Sequence, residues 1–474
     1  MMRLFVLTIL TGAFAPATTG LAEEDKPPLI RLSPQSSAQP SSPLRYRLLP
    51  DSAELTAGNA APLWYQVALR QRAVPHKITE EEYKWAESAL PLQKLPRPAV
   101  RSLLIPYGGA FRLARLASLR ASCDWEHPPL TWQNLGVVDT SHVQSFREIA
   151  VLLNIQCRLQ LSERRFDEAA DTLRTGFSLA RHLGKGNTLI EGLVGIAIAE
   201  MMLTRVEEWM QLPDSPNLYW PLSALPNPLV EIQTAFEQEL NIVYRSFPEL
   251  RQLRNNQLSP REIDAAFLGL SKFLNLLGDV PKGRDRPIQQ KIAMAMMTAK
   301  MYPESRQQLL DRGWPVKNVD GMRMKQVTLT VELDAADRVR EGILKCLSLP
   351  PWQALPELAR VERETRAVPE TQHNVFLLGM AAFSKVFAAR LRLERDIAAL
   401  RCGEALRSYV ATHEGNPPAK WSDLVSVPLP VDPLTGKGFD ASYEVKDGRA
   451  LLNVSGAPGQ GARTGKRLEW VHKR

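Results

Sequence analysis

The sequence predicts a mainly α protein, a multi-helix body built from helical hairpins, and three observations carry that reading. Apolar residues recur at spacings of three and four through long windows, which places them on one face of a helix. Ser/Thr-x-x-Glu pairs open several of those windows, where each side chain satisfies an orphan backbone N–H of the other's turn. Gly184, Gly186 and Pro350-Pro351 punctuate the windows as helix stops.

The chain nevertheless opens on a segment of another kind. Arg3 supplies a positive charge, Leu4 to Ala15 form an apolar run broken only by Thr8, Thr11 and Gly12, and Gly20-Leu21-Ala22 offers small residues for cleavage. These are the parts of a secretory signal peptide over residues 1–22. The alternative site Ala13-Phe14-Ala15 precedes Pro16, a poor residue beside a scissile bond. No Cys lies near the cut, so a lipid-anchored form is not expected. The apolar run is about half the roughly 20 residues a membrane span needs. The mature protein is therefore expected to be extracytoplasmic, periplasmic or secreted, with no transmembrane segment after cleavage near Ala22.

Residues 23–56 carry Pro27, Pro28, Pro34, Pro40, Pro43 and Pro50 among serines and charges, and read as a Pro/Ser-rich linker. A helical body is expected over 57–370. Pro62 suits a first helical turn, and Thr79 with Glu82 caps the next helix. From Ser141 to Leu212 the periodicity is clearest: Phe146, Ile149, Ala150, Leu153, Cys157 and Leu161 share one face. After Glu163-Arg164-Arg165, the run Phe166 to Leu173 resembles the second helix of a tetratricopeptide unit. One such unit cannot build a solenoid, which needs about three repeats, so the segment is read as an ordinary helical hairpin. Thr188 with Glu191 caps a helix that is apolar nearly all round from Leu189 to Leu203, hence buried. Further helices are expected over Pro228–Ser246, Pro260–Leu277 (behind a Ser259/Glu262 box) and Pro287–Met301. Val327 to Leu333 alternates like a strand, but Leu329, Leu333, Ala336, Val339, Ile343 and Leu347 keep helical spacing over a longer window, and length favours helix. A long amphipathic helix is expected from Met380 to Thr412. Its seam is Met380, Phe383, Phe387, Leu391, Ala398, Cys402, Ala405 and Tyr409, and its polar face Lys385, Arg392, Arg395 and Asp396.

Beyond that helix stand Tyr409-Val-Ala-Thr-His-Glu-Gly415-Asn-Pro-Pro418, Trp421-Ser-Asp-Leu424, Leu429-Pro-Val-Asp432-Pro433-Leu-Thr-Gly436 and Tyr443 through Gly456. This order resembles the globular head of the type II secretion major pseudopilin over roughly residues 395–460. The resemblance implies a small C-terminal α+β head in which a long helix leads into an antiparallel sheet, over 371–460. A pseudopilin also keeps an apolar helix at its mature N-terminus, whereas cleavage here exposes Glu23-Glu24-Asp25, so filament assembly is not implied. The family's heads bind calcium through acidic residues of a C-terminal loop. Ser455 to Gly461 contains no acid, which leaves Asp432 and Asp440 isolated, and no metal is expected. A basic tail, 461–474, with Arg463, Lys466, Arg467, Lys473 and Arg474, ends the chain. The chain as a whole resembles large exported bacterial proteins that join a helical body to such a head. Asn59 to Tyr65, Cys123-Asp-Trp125, Arg165 to Ala170, Pro216 to Trp220 and Leu349 to Trp352 carry that resemblance, which implies no activity.

Composition bounds the rest. With 44% hydrophobic and 23% charged residues the chain is globular, and its net charge of +8 over 474 residues is a mild excess that suits anionic envelope surfaces. No basic-aromatic cluster points to nucleic acid. Cys123, Cys157, Cys346 and Cys402 allow three pairings or four buried thiols. No G-x-S-x-G, H-E-x-x-H, phosphate loop or G-x-G-x-x-G is present, so no cofactor is expected. Seven histidines are scattered, and His182 beside Gly184 reads as a cation at a helix C-terminus. His127 and His142 flank the loop Cys123-Asp124-Trp125-Glu126, the one place where His, Cys and carboxylates gather. The leading expectation is a non-enzymatic interaction or structural module of the cell envelope, with an unidentified envelope protein or anionic surface as partner. The alternatives are an extracytoplasmic hydrolase assembled from distant loops, with His127, Glu126 and Asp124 as catalytic candidates, and a type II secretion accessory.

Overall fold

The computed structural model of the protein describes residues 27–32, 44–131, 141–255, 258–266, 286–366, 383–446, 448–456 and 465–471. The expected signal peptide lies outside them. The longer helices are α1 (Ala61–Ala73), α2 (Gly108–Ser118), α3 (Ser141–Ser162), α4 (Phe166–Gly184), α5 (Leu189–Met210), α6 (Arg286–Asp311), α7 (Met324–Leu347), α8 (Pro351–Arg366) and α9 (Phe383–Thr412). The fold is mainly helical, with a small sheet near the C-terminus. No described helix is long and apolar enough to cross a membrane.

α3 and α4 pack on each other across the three-residue turn 163–165, in which Arg164 adopts φ +61°. Both lie against α5, which buries Leu193, Ile196, Ile198, Met202, Val206 and Trp209 and receives α9 on another side. An all-round apolar helix has to be central, and α5 is. The segment over 327–333 is helical within α7, as length demanded. The single helix expected over Pro228–Ser246 is instead two short ones, Gln233–Leu240 and Ile242–Ser246. Smaller apolar clusters join Leu250, Leu253 and Ile263 to Leu329 and Leu333, and Leu309 and Val319 to Val327 and Val331.

The sheet corrects two sequence expectations. Its strands are β1 (Leu29–Arg31), β4 (Tyr443–Lys446), β5 (Arg449–Val454) and β6 (Lys466–Val471), ordered β1-β6-β5-β4, with β1 parallel to β6 and the other pairs antiparallel. A second, two-stranded parallel sheet pairs β2 (Thr56–Asn59) with β3 (Arg120–Ser122). The segment read as a tether thus supplies an edge strand, and it buries Ile30, Leu32 and Leu48. The segment read as a basic tail supplies an interior strand whose Leu468 and Trp470 enter the main core. Six residues of alternating exposure are enough for a strand once both neighbours offer backbone partners.

The long helix behaves differently from a one-faced amphipath. α9 buries the expected Phe383, Phe387, Leu391, Ala398, Cys402 and Ala405, while Met380 falls outside the described residues. It also buries Glu394, Arg395, Glu404 and Arg407. Its expected polar face is a docking face: Arg392 pairs with Glu200 of α5 at 2.7 Å, and Arg395 meets Asp432, beyond the helix, at 2.8 Å. Gly403 allows the approach of β6, since a Cβ there would stand 2.4 Å from Leu468 Cδ2. All four cysteines are buried and free.

Candidate functional site

The site forms where three distant segments meet at the N-terminal end of α5. His127 comes from the loop after β3, His142 from the first turn of α3 and Glu191 from the first turn of α5.

Each position has a local cause. Asn59 pins the loop, its Oδ1 accepting from Asp124 N–H at 2.8 Å and its Nδ2 donating to Asp124 O at 2.7 Å. Asp124 Oδ1 accepts from Glu126 N–H at 2.9 Å, and Glu126 takes φ +54°. Trp125 then turns inward, where its indole donates to the His182 carbonyl at 2.8 Å and its ring stacks at 11° to His127. Around His142 stand Tyr65, Trp125 and Phe146, with ring centroids 5.6, 6.1 and 5.6 Å away. Glu191 completes the capping box expected with Thr188: its Oε2 accepts from Thr188 N–H at 3.1 Å and from Thr188 Oγ1 at 2.9 Å. A Cβ at residue 186 would lie 2.5 Å from the Glu191 carboxyl carbon, so only glycine fits beside it.

The second carboxylate oxygen carries the chemistry. His127 Nε2 donates to Glu191 Oε1 at 2.8 Å, and His142 Nε2 stands 3.5 Å from the same atom without a hydrogen bond. His142 is 6% exposed and Glu191 1%, while the His127 side chain retains 15% of its exposure. Burial opposes ionisation of Glu191, but His127, His142 and Thr188 outweigh it and hold the carboxyl at about 2. The hydrogen bond to Glu191 in turn raises His127 above the ordinary imidazole range, against its own burial. The three ligating atoms lie within 4.8 Å of one another, and two imidazole nitrogens with a carboxylate oxygen form a transition-metal donor set.

Of the catalytic candidates, only His127 enters this cluster. Asp124 and Glu126 are exposed, the first spent on the loop's own turn. Burial pushes the Cys123 thiol up to about 12, so it stays protonated and is no nucleophile. His182 is not the helix-end cation expected. Its Nδ1 accepts from the Trp64 indole at 2.9 Å, and burial, with Lys185 and Arg181 nearby, lowers it to about 3, so it is neutral. The sequence missed the partnership of His142 with Glu191. Its one available signal was a capping glutamate at the start of a helix destined for the interior.

A second polar cluster lies toward the other end of α5. Lys466 Nζ of β6 lies 2.5 Å from Glu207 Oε1 and 3.2 Å from Asp396 Oδ2 of α9. Burial pushes Asp396 up to about 6 despite the lysine beside it. Nearby, Arg407 is fully buried against Glu404 at 2.8 Å and donates to Ser215 O at 3.0 Å and to Ser215 Oγ at 2.7 Å. Asp432, weighed from sequence as a calcium ligand, is instead bound in fork geometry by Arg395, and its Oδ1 accepts from Leu434 N–H at 2.8 Å. Asp440 is exposed. No protein family, no curated protein and no solved structure matches this chain.

Proposed function

We propose that the chain is an exported cell-envelope protein and works as a non-enzymatic interaction or structural module, a pseudopilin-like head fixed to a helical body. The observation that carries this reading is the docking of β6 through Lys466, Glu207 and Asp396. These charges come from the head, the body and the helix between them, and they are spent on one another. A protein that presents a surface to a partner needs its parts held in fixed relation, and paired interior charges fix register as well as position. The resemblance of residues 395–460 to a pseudopilin head, with the filament-forming stem replaced by a cleavable signal, favours a partner in the secretion apparatus or the surrounding envelope.

The test is fractionation of cells producing the full chain, N-terminal sequencing of the product and cross-linking in the envelope fraction. The expected product begins at Glu23, outside the cytoplasm, and cross-links to one stoichiometric partner. An unprocessed cytoplasmic product, or a processed one with no partner, overturns the reading.

A further inference from the structure

We propose that His127, His142 and Glu191 form a binding site for one divalent transition-metal ion of the zinc type. The proposal is independent of the envelope role, which rests on the opposite end of α5.

The two distances to the carboxylate oxygen suit such an ion, and the three donor atoms lie within 4.8 Å of one another. Zinc takes imidazole nitrogen and carboxylate oxygen at about 2.0–2.2 Å in a tetrahedron, which sets ligand atoms roughly 3.3 Å apart. His142 Nε2 is already 3.5 Å from Glu191 Oε1, and His127 Nε2, at 2.8 Å, needs to withdraw by only about half an ångström. Calcium and magnesium prefer six or more oxygens, so an imidazole pair selects against them.

His142 is the observation that a simple ion pair leaves unexplained. Its Nε2 is buried, aimed at the carboxylate and without a hydrogen bond. Leaving a buried polar atom unpaired is costly, and Tyr65, Trp125 and Phe146 hold the ring so that it cannot turn away. An ion held between the three donors would satisfy His142 and His127 together. The carboxylate is also oriented as a ligand should be, with Oε2 tied to Thr188 and Oε1 turned toward both histidines. The His127 side chain keeps 15% of its exposure, so an ion and a fourth ligand, a water, would reach the cluster from that side.

The experiment uses the full mature chain after dialysis against chelator. Zinc binding is measured by titration calorimetry, and cobalt(II), a coloured stand-in, by visible absorption. The expected result is one ion per chain and the intense absorption of four-coordinate cobalt, with affinity falling at least about tenfold in His127→Gln and in His142→Gln, the loss that follows even from removal of an outer-shell partner. Circular dichroism establishes that each variant is folded. If the wild-type chain binds neither ion, or folded variants bind as tightly as the wild type, the cluster is only a charged knot. The cobalt spectrum of the wild-type chain decides the matter without any variant.

Discussion

The two ends of α5 carry polar clusters made from similar materials and solve the same problem differently. Glu191 and Glu207 lie sixteen residues apart on one helix, roughly 24 Å along its axis. At the Glu207 end the lysine of the last strand lies 2.5 and 3.2 Å from two carboxylates, so the charges are paired at close range even though Glu207 Oε1, like His142 Nε2, makes no hydrogen bond. At the Glu191 end two histidines face one oxygen, one of them without a hydrogen bond, and solvent reaches the other. Burial alone therefore does not distinguish a site from a strut. The distinction lies in whether the groups gathered there exhaust one another.

Breaking the paired end should have the largest effect. Lys466→Met strands Glu207 and Asp396 without their cation, and such a change costs about 3–5 kcal/mol. Urea denaturation should show the whole chain destabilised, because β6 enters the same core as α5. An unchanged midpoint would mean the cluster does not hold head to body. The next effect comes from His182, beside the open end. Its native imidazole is depressed to about 3, against 6.5 when free. The unfolded chain therefore binds a proton between those values that the native chain refuses, and stability, fully present above pH 6.5, is lost as pH falls. Between pH 6.5 and pH 4.5 the loss should reach roughly 2 kcal/mol, and His182→Gln should flatten that slope. The smallest effect belongs to the open end itself. His142→Gln removes no satisfied hydrogen bond and should cost about 1 kcal/mol or less, measured by the same denaturation. A loss as large as that of Lys466→Met would turn the open end into a second strut.

The same contrast explains what could be read from the sequence. Helices announced themselves because apolar spacing and capping boxes are local: Thr79/Glu82 and Thr188/Glu191 are both formed as written. The strand at Leu29 did not, since its one partner lies more than 400 residues away, and the strand at Lys466, though it also pairs with nearby β5, takes that same distant strand on its other edge. The polar face of α9 did not announce its partners for a related reason. Arg395 and Asp396 look like surface residues until Asp432 and Lys466 arrive from the head. In the site, His127 was legible from the crowding of His, Cys and acid in one loop, but Glu191 was concealed by doing a second job as a cap. Asp124 and Glu126, close in sequence to His127, were drawn in by proximity along the chain, which a loop pinned at Asn59 does not convert into convergence.

The pairing of β1 with β6 sets a clock on biosynthesis. Leu29 leaves the ribosome about 438 residues ahead of Arg467, the residue it pairs with. At roughly 5–20 residues per second, the leading segment waits some tens of seconds with no sheet to enter. Throughout that interval Leu29–Arg31 lacks the strand it pairs with, so whatever machinery meets this segment then meets it before its place in the sheet exists.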